Sequence, residues 1–266
     1  MGRHYLTAKL TSNRRLTAEV SIMDFSLEEP STCVAGQYYM VWLPGQGEIP
    51  LSPSACRGQE AQFLVESVGS TSSALFSMTV GSRCFLRGAF GRPFSLDRDG
   101  PYLLVAGGTG AAPLLMAAEQ LASGGKPVHV IIGARRANGL FYARDFSRLA
   151  RTVSFVTEDG SLGIKGKAPD QVEGEIAAHR VRNVLTAGPE LMMKSVIERS
   201  ERLGLYSEAS LVRIIKCADG VCGSCVLDPA GQLVCKEGPV LPGAELLASE
   251  FGSRTRDHTG RSVEVG

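Results

Sequence analysis

The residues Val105-Ala106-Gly107-Gly108-Thr109-Gly110-Ala111-Ala112-Pro113 are the most informative part of the sequence for the fold of the middle of the chain. An apolar segment, 102–106, precedes it, and a helical pattern that Gly124-Gly125 would end follows it. Glycines allow the backbone to close on a pyrophosphate, and free N–H groups at a helix start favour an anion. Pro113 suits the first helical turn, where its missing N–H costs nothing. The stretch predicts a strand, a phosphate-binding turn and a helix, with an ordinary tight turn as the alternative.

Strands and helices alternate along the chain around this turn. Strands that alternate with helices at such spacing form βαβ units and a parallel sheet. Gly133-Ala134-Arg135 ends the next strand and supports a nucleotide site at this edge of the sheet. Three further strands are predicted at 128–132, 153–156 and 181–186, and two further helices at 142–149 and 189–202. The predicted nucleotide site so far comprises Gly107, Gly108, Thr109, Gly110, Pro113, Gly133 and Arg135.

Residues 1–97 have a different texture, with short apolar or alternating segments separated by Gly, Pro and Ser. Many short strands with turn residues between them are typical of a small antiparallel barrel. One helical pattern, at 71–78, interrupts them. The clearest of the predicted strands lie at 16–22, 38–43, 62–68 and 83–86.

Four of the seven cysteines lie close together, as Cys217-x4-Cys222-x2-Cys225-x9-Cys235. Three of them share one loop with Gly220 and Gly223, which would let the backbone wrap a metal centre. This is the plant-type [2Fe–2S] spacing, whereas a zinc ribbon presents two separated Cys-x2-Cys pairs. The spacing favours the iron–sulfur cluster, with a structural zinc site as the alternative. The other cysteines, Cys33, Cys56 and Cys84, are interpreted as buried thiols.

Composition and charge argue against several classes of protein. The 266 residues are 44% hydrophobic and include 28 Lys and Arg against 27 Asp and Glu. This balance argues against a nucleic-acid-binding protein, which needs clustered positive charge. The longest apolar runs, such as 103–106 and 128–132, are too short to span a bilayer, and no apolar signal core follows Met1. We therefore expect a cytoplasmic protein with reduced thiols and no membrane partner.

These features together resemble a known superfamily. The strand, glycine turn and helix, with a barrel before them and Gly188-Pro189 after a late strand, resemble the ferredoxin–NADP reductases. The cysteine segment continuing into 234–240, and the tail with Phe251-Gly252 and Arg256-Asp257, are similar to the electron-transfer subunits of NAD-linked dihydroorotate dehydrogenases. The resemblance covers nearly the whole chain. It implies a flavin-binding antiparallel β-barrel at 1–97, a parallel-sheet NAD-binding α/β domain at 98–207 and a small [2Fe–2S] domain at 208–266.

The resemblance also implies where the flavin lies, since the family cradles it with an Arg-x-[Tyr/Phe/Ile]-Ser segment. Ile49-Pro50-Leu51-Ser52 occupies that place, but Ile49 replaces the arginine. Arg92-Pro93-Phe94-Ser95 matches the letters better but lies at the domain junction, so we interpret it as a linker. The second flavin element is Gly69-Ser70-Thr71-Ser72, whose hydroxyl and N–H groups suit the pyrophosphate of FAD rather than FMN, with an ordinary helix cap as the alternative. The predicted flavin residues are Ile49, Pro50, Leu51, Ser52, Gly69, Thr71 and Ser72.

The implied function is electron transfer between a nicotinamide and a partner protein. NAD+ takes two electrons as hydride and the cluster passes one at a time, so FAD must lie between them. By resemblance, electrons leave dihydroorotate at FMN on a separate catalytic subunit and cross the cluster and FAD of this chain to NAD+, in pyrimidine biosynthesis. This implies an oxidoreductase subunit of a hetero-oligomer without catalytic residues of its own. The alternatives are a reductase working in the opposite direction, from NAD(P)H to a ferredoxin or a sulfur-metabolising partner, and a non-enzymatic zinc-binding module.

The sequence gives mixed signals on NAD against NADP. An NAD-selective site often places an acid at the end of the second strand, to bind the ribose 2′-OH. Here Arg135-Arg136 follow that strand, and no acid comes until Asp145. The two arginines would suit the 2′-phosphate of NADP. The family's Gly-x-Arg is also compatible with NAD. The resemblance to NAD-linked dihydroorotate dehydrogenases points to NAD(H), and we predict this cofactor, with Arg135 near the adenosine ribose and Gly188 and Pro189 in the same site.

Overall fold

The computed structural model describes residues 4–265 of the chain. Residues 1–3 and Gly266 lie outside the described residues. The first three residues belong to the N-terminal segment on which the prediction against export rests. Among residues 4–265, no helix combines the length and the apolar character needed to cross a membrane.

The first part of the chain folds into one seven-stranded sheet in which all neighbours are antiparallel, in the order β4-β3-β7-β1-β2-β6-β5. This confirms the predicted antiparallel architecture. The elements are β1 Leu6–Arg15, β2 Val20–Leu27, β3 Tyr38–Leu43, β4 Gly47–Leu51, β5 Pro53–Arg57, β6 Glu60–Glu66, helix α1 Ser70–Phe76 and β7 Arg83–Phe90.

The prediction of a strand at 16–22 was wrong in its first half. Leu16 and Thr17 begin the turn between β1 and β2, and the Thr17 hydroxyl accepts the N–H groups of Glu19 and Val20. This local bonding offers the backbone an alternative to the sheet. The preceding strand β1 was not among the predicted strands, because only two of its ten residues, Ala8 and Leu10, are buried and its second half is polar.

The middle of the chain forms a second seven-stranded sheet, whose seventh strand, β16 (Val240–Pro242), comes from the last part of the chain, and the strand order is β11-β10-β9-β8-β12-β13-β16. Its first six strands are parallel, which confirms the predicted βαβ architecture. Every residue of β8 is buried, as expected for a central strand covered on both faces. The elements are β8 Tyr102–Gly107, α2 Ala111–Ser123, β9 Val128–Ala134, α3 Ala143–Leu149, β10 Thr152–Thr157, β11 Ile164–Lys165, α4 Val172–His179, β12 Asn183–Ala187, α5 Glu190–Arg202 and β13 Tyr206–Ser210.

The last part of the chain does not stand apart from the other two. Strand β13 crosses the predicted domain boundary between 207 and 208, and Val240–Pro242 returns as β16 to pair antiparallel with it. Buried residues of the cysteine segment also share one core with Tyr38 and Met40 of β3. The remaining elements are β14 Val226–Leu227, β15 Gln232–Leu233, α6 Val234–Glu237, α7 Gly243–Leu247, β17 Arg254–Arg256 and β18 Ser262–Glu264.

The segment Arg92-Pro93-Phe94-Ser95 runs between β7 and β8 and touches all three parts of the chain. The Arg92 N–H donates to the carbonyl of Gly238, and the Phe94 N–H donates to the carbonyl of Ala35. The N–H and hydroxyl of Ser95 both donate to the buried carboxylate of Glu208, at 2.9 and 2.8 Å.

Candidate cofactor cavity and cluster loop

A cavity of about 890 Å³ lies where the three parts of the chain meet, and we call it the central cavity. Its size falls in the range of pockets that hold cofactors. Its walls include both predicted flavin segments, 49–52 and 69–72, together with Thr109, Gly110 and Pro113 of the nucleotide turn. Residues 210–216, which lead into the cysteines, form another wall. Predicted flavin and nucleotide residues far apart in sequence therefore line one space.

Strand β4 carries the first flavin segment to the cavity. Ile49 is paired with Val41 in the β3–β4 ladder, so an apolar side chain stands where the family has arginine. The cationic side chains that line the cavity come instead from a segment that the sequence reasoning missed. The Arg213 guanidinium is paired with the carboxylate of Glu190, and the Lys216 ammonium donates to the carbonyl of His258 at 2.8 Å. In the sequence this segment is a run of apolar residues interrupted by Arg213 and Lys216, a pattern that carries no sign of a ligand.

Two hydroxyls of the second flavin segment, those of Thr71 and Ser72, form hydrogen bonds within the protein. The Ser72 hydroxyl accepts the N–H groups of Val68 and Gly69, at 3.0 and 2.9 Å. The Thr71 hydroxyl donates to the carbonyl of Gln46 at 2.8 Å. This is the bonding of a helix cap and turn, as in the alternative interpretation. The segment still lines the cavity.

The nucleotide turn lies at the point where the strand order of the parallel sheet reverses. Strand β8 stands between β9, which follows it in the chain, and β12, so a crevice forms at the carboxyl ends of β8 and β12. Such crevices are the usual nucleotide sites of parallel sheets. A Cβ on Gly110 would lie 2.3 Å from the carbonyl carbon of Ala187, and one on Gly188 would lie 2.7 Å from the carbonyl oxygen of Gly107. Glycine is therefore required for the two strand ends to approach each other.

Two other predicted residues, Gly133 and Arg135, lie at the end of β9. A Cβ on Gly133 would meet the Cβ of Ala168 at 2.6 Å, whereas Arg135 is exposed. The neighbouring Arg136 lies 3.9 Å from a carboxylate oxygen of Asp159, which follows the adjacent strand β10. Hydrogen bonds from Ser161, and then Arg136, lower the pKa of Asp159. Along the chain no acid follows β9 before Asp145, but the parallel pairing of β9 with β10 brings Asp159 to this strand end.

The four cluster cysteines differ in exposure. Cys225 and Cys235 are buried, Cys217 is half-buried and Cys222 is exposed. Backbone N–H groups point at sulfur: the Asp219 nitrogen lies 3.3 Å from the Cys217 sulfur, and the Cys235 nitrogen lies 3.4 Å from the Cys225 sulfur. Hydrogen bonds to sulfur stabilise the thiolate form that metals require.

The electrostatics of the thiols suit a metal centre. Burial raises the pKa of the Cys217 thiol, but the N–H groups of Asp219, Cys222 and Val221 lower it by more, to about 6. Burial and the neighbouring Cys225 raise the pKa of the Cys235 thiol to about 12. The Cys217 thiol therefore loses its proton more readily than an ordinary cysteine and the Cys235 thiol less readily, and a bound cation would favour the thiolate of both.

Among residues 4–265, no three His, Cys, Asp or Glu side chains converge as ligands of one ion. A two-iron cluster held by four thiolates needs no such single point, because its ligands are shared between two irons. The donor set, four cysteines with N–H groups directed at their sulfurs, fits a [2Fe–2S] cluster.

The fold and the cavity define the class first: a reductase of the ferredoxin–NADP reductase type with an added iron–sulfur segment. The structure superposes on that of an NADH-dependent reduced ferredoxin-NADP oxidoreductase with a TM-score of 0.81 and 26% identity, covering 92% of this chain and 91% of the other. A ferredoxin NADP+ reductase from Neisseria gonorrhoeae, solved with bound FAD and NADP, gives a TM-score of 0.65 at 19% identity over 75% of this chain and 92% of the other.

Residues 213–247 match the iron–sulfur cluster binding domain of dihydroorotate dehydrogenase B. Two curated relatives are each described as a probable dihydroorotate dehydrogenase B (NAD(+)), electron transfer subunit. The Methanocaldococcus jannaschii protein is 33% identical over 91% of this chain and 93% of its own length, and the Archaeoglobus fulgidus protein is 38% identical over 90% and 97%. The chain belongs to the family of dihydroorotate dehydrogenase B electron transfer subunits.

Family membership confirms the predicted resemblance, the electron-transfer function and the oxidoreductase class. The predicted cofactor set is confirmed with it, and the family match decides for the iron–sulfur cluster over zinc. The residues assigned to flavin, NAD and cluster, and the domain boundaries, stay predictions.

Proposed function

We propose that this chain carries electrons to NAD+ in pyrimidine biosynthesis. The electrons come from a catalytic partner subunit that oxidises dihydroorotate. The observation that carries the proposal is the central cavity, which brings both predicted flavin segments, the nucleotide turn and the approach to the cluster cysteines into contact with one space. A cofactor in that space would touch the nicotinamide site on one side and the cluster segment on the other.

Each wall of the cavity has a distinct part in this proposal. The segments 49–52 and 69–72 would hold FAD, and Cys217, Cys222, Cys225 and Cys235 would hold the cluster. The turn from Gly107 to Pro113, with Gly188 and Pro189 beside it, would bind NAD at the carboxyl ends of β8 and β12. Bound there, the flavin would supply hydride exchange with the nicotinamide and single-electron exchange with the cluster.

The partner is the FMN-containing catalytic subunit of a dihydroorotate dehydrogenase, joined to this chain in a hetero-oligomer. Support comes from the relatives, which are named as electron transfer subunits. We also propose that the protein works in the cytoplasm, since all seven cysteines are free and a thiolate-bound cluster needs a reducing compartment.

The experiment is purification without air, followed by a visible spectrum, flavin identification and iron and sulfide analysis. We expect FAD, a [2Fe–2S] cluster, and bleaching of both by NADH. Co-expression with the catalytic subunit should then give a stable complex that reduces NAD+ with dihydroorotate. A colourless protein that contains zinc, or a complex that does not reduce NAD+ when dihydroorotate is supplied, would contradict the proposal.

One observation favours a second candidate, a reductase that carries electrons from NAD(P)H to a ferredoxin-type acceptor. The solved structure that covers 92% of this chain is that of an NADH-dependent reduced ferredoxin-NADP oxidoreductase. Co-purification distinguishes the two functions: a tightly bound FMN-containing partner supports the first, and an exchangeable one-electron acceptor supports the second.

A further inference from the structure

Two barrel side chains reach across the domain junction to the backbone of the cluster ligands. The first is Tyr38, on strand β3. This residue lines the central cavity and is 2% exposed, and its hydroxyl donates to the carbonyl of Cys235 at 3.1 Å. One side chain therefore touches both the predicted flavin space and the residue that carries a cluster sulfur.

The second side chain is Arg87, on the adjacent strand β7. Its guanidinium binds both carboxylate oxygens of Glu48 at 2.7 Å, and another of its nitrogens donates to the carbonyl of Cys217 at 3.0 Å. Glu48 lines the cavity and directly precedes the flavin segment that begins at Ile49. The planar fork of arginine can hold a carboxylate and a separate carbonyl at once, which the single ammonium of lysine does less well.

These contacts fall on the first and the last of the four cluster cysteines, Cys217 and Cys235. The segment between them has only short elements, β14, β15 and α6, and its buried residues pack on the barrel and the parallel sheet. Its position relative to the cavity is therefore set by contacts from outside the segment. Tyr38 and Arg87 supply such contacts at both ends.

We propose that Tyr38 and Arg87 are positioning residues for electron transfer between the flavin and the cluster. They hold the cluster segment by its end ligands against the wall of the central cavity and so fix the gap that an electron must cross. This inference rests on the proposed function, because it requires flavin in the cavity and a cluster on the four cysteines. In the step concerned, reduced flavin gives one electron to the oxidised cluster, or the reverse.

The test uses the protein purified without air, with both cofactors bound, in wild-type form and as Tyr38→Phe. This variant removes one hydroxyl and keeps the ring. Stopped-flow mixing with NADH follows flavin bleaching and cluster bleaching separately, and rapid-freeze EPR counts reduced clusters. We expect unchanged flavin reduction and electron arrival at the cluster slowed by about tenfold or more, since small displacements of reacting groups have large effects on rate.

The matched control is Tyr102→Phe, because the Tyr102 hydroxyl also donates to backbone carbonyls, those of Ser95 and Arg98, away from the cysteines. It should lose thermal stability as Tyr38→Phe does, with no change in electron arrival at the cluster. An EPR redox titration gives the reduction potential of the cluster in each protein. An unchanged potential with slower transfer supports positioning, whereas a shifted potential that accounts for the slower rate would overturn it.

A second variant, Arg87→Lys, keeps a cation beside Glu48 and should slow the same step. Loss of iron from Tyr38→Phe but not from Tyr102→Phe would also support the proposal, since Tyr38 and Arg87 together hold the residues of two cluster ligands. Wild-type rates in both Tyr38→Phe and Arg87→Lys, or equal iron loss in Tyr38→Phe and Tyr102→Phe, would overturn it. A wild-type protein that binds no flavin or no cluster would instead contradict the proposed function itself.

Discussion

The nucleotide turn and the cluster loop both depend on glycine, but for opposite reasons. At Gly110 the backbone angles are ordinary, and a Cβ would collide with the backbone of Ala187 at 2.3 Å. At Gly223 the backbone is left-handed, with φ +68°, and no atom lies within 4 Å of where a Cβ would stand. The turn is therefore specified by close packing between regular elements, and the loop by its backbone conformation.

This difference extends to what holds each region in place. The turn joins a fully buried strand to a long helix, so its position follows from the parallel sheet. The loop has almost no regular structure, and its order comes from the barrel contacts of Tyr38 and Arg87 and from the metal centre that its thiols fit. Damage to the turn should therefore unfold a domain, and damage to the loop should remove a cofactor.

The largest effect should follow Gly110→Ala. The new methyl group cannot fit beside the Ala187 carbonyl, because both lie on rigid elements, so we expect a loss of about 3 kcal/mol or more in the free energy of unfolding. Chemical denaturation measures it. The matched control is Gly108→Ala, where a Cβ meets open space and only the left-handed backbone, φ +54°, costs about 1–2 kcal/mol. Equal losses in the two variants would mean that packing against β12 does not explain Gly110.

Cys222→Ser should remove the cluster and leave the rest of the protein folded. Cys222 is exposed, so its replacement loses little packing. We expect the iron content to fall to background. The rate of flavin reduction by NADH and the free energy of unfolding of the nucleotide domain should stay at wild-type values. Cys84→Ala is the converse control, because the buried Cys84 lies in the barrel: it should keep all its iron and lose stability. Full iron content in Cys222→Ser would remove Cys222 from the ligand set.

The same contrast explains how far the sequence could predict this molecule. The turn between Val105 and Pro113 could be predicted because its strand, glycines and helix are neighbours in the chain, and the cysteine spacing is equally local. Three contacts could not be predicted: those of Asp159, Arg213 and Tyr38 with their partners. Each depends on the strand order or on a domain junction, which no local pattern in the sequence encodes. The loss of arginine at position 49 was visible in the sequence, but the structure was needed to show which cations line the cavity.

Cofactor choice should shift modestly when the Arg136–Asp159 pair is broken. Asp159 lies beside Arg136 at the strand end predicted to face the adenosine ribose, so its charge should oppose binding of a 2′-phosphate. Asp159→Asn should raise kcat/KM with NADPH relative to NADH by up to about fivefold, as exposed ion pairs contribute about 1 kcal/mol or less. Arg136→Ala should change the ratio in the opposite direction. A ratio that stays constant in both variants would place the ribose elsewhere.

The smallest effect concerns pH and the nucleotide domain alone. His129 on β9 is buried, stacks on His179 at 4.0 Å between ring centroids, and shares a hydrogen bond with the Thr152 hydroxyl. Burial, and then His179 and Arg151, lower the pKa of His129, although Glu175 beside His179 acts in the opposite direction. The unfolded chain therefore binds this proton more tightly than the folded protein, so stability present above about pH 6.5 is lost as the pH falls below that value.

We expect His129→Gln to lose less thermal stability than wild type between about pH 7.5 and about pH 5.5, with the exposed His4→Gln as the control that behaves like wild type. Hydrogen exchange should show the acid-induced opening first in β9 and α4. The same acid loss in His129→Gln as in wild type would mean that another group controls it.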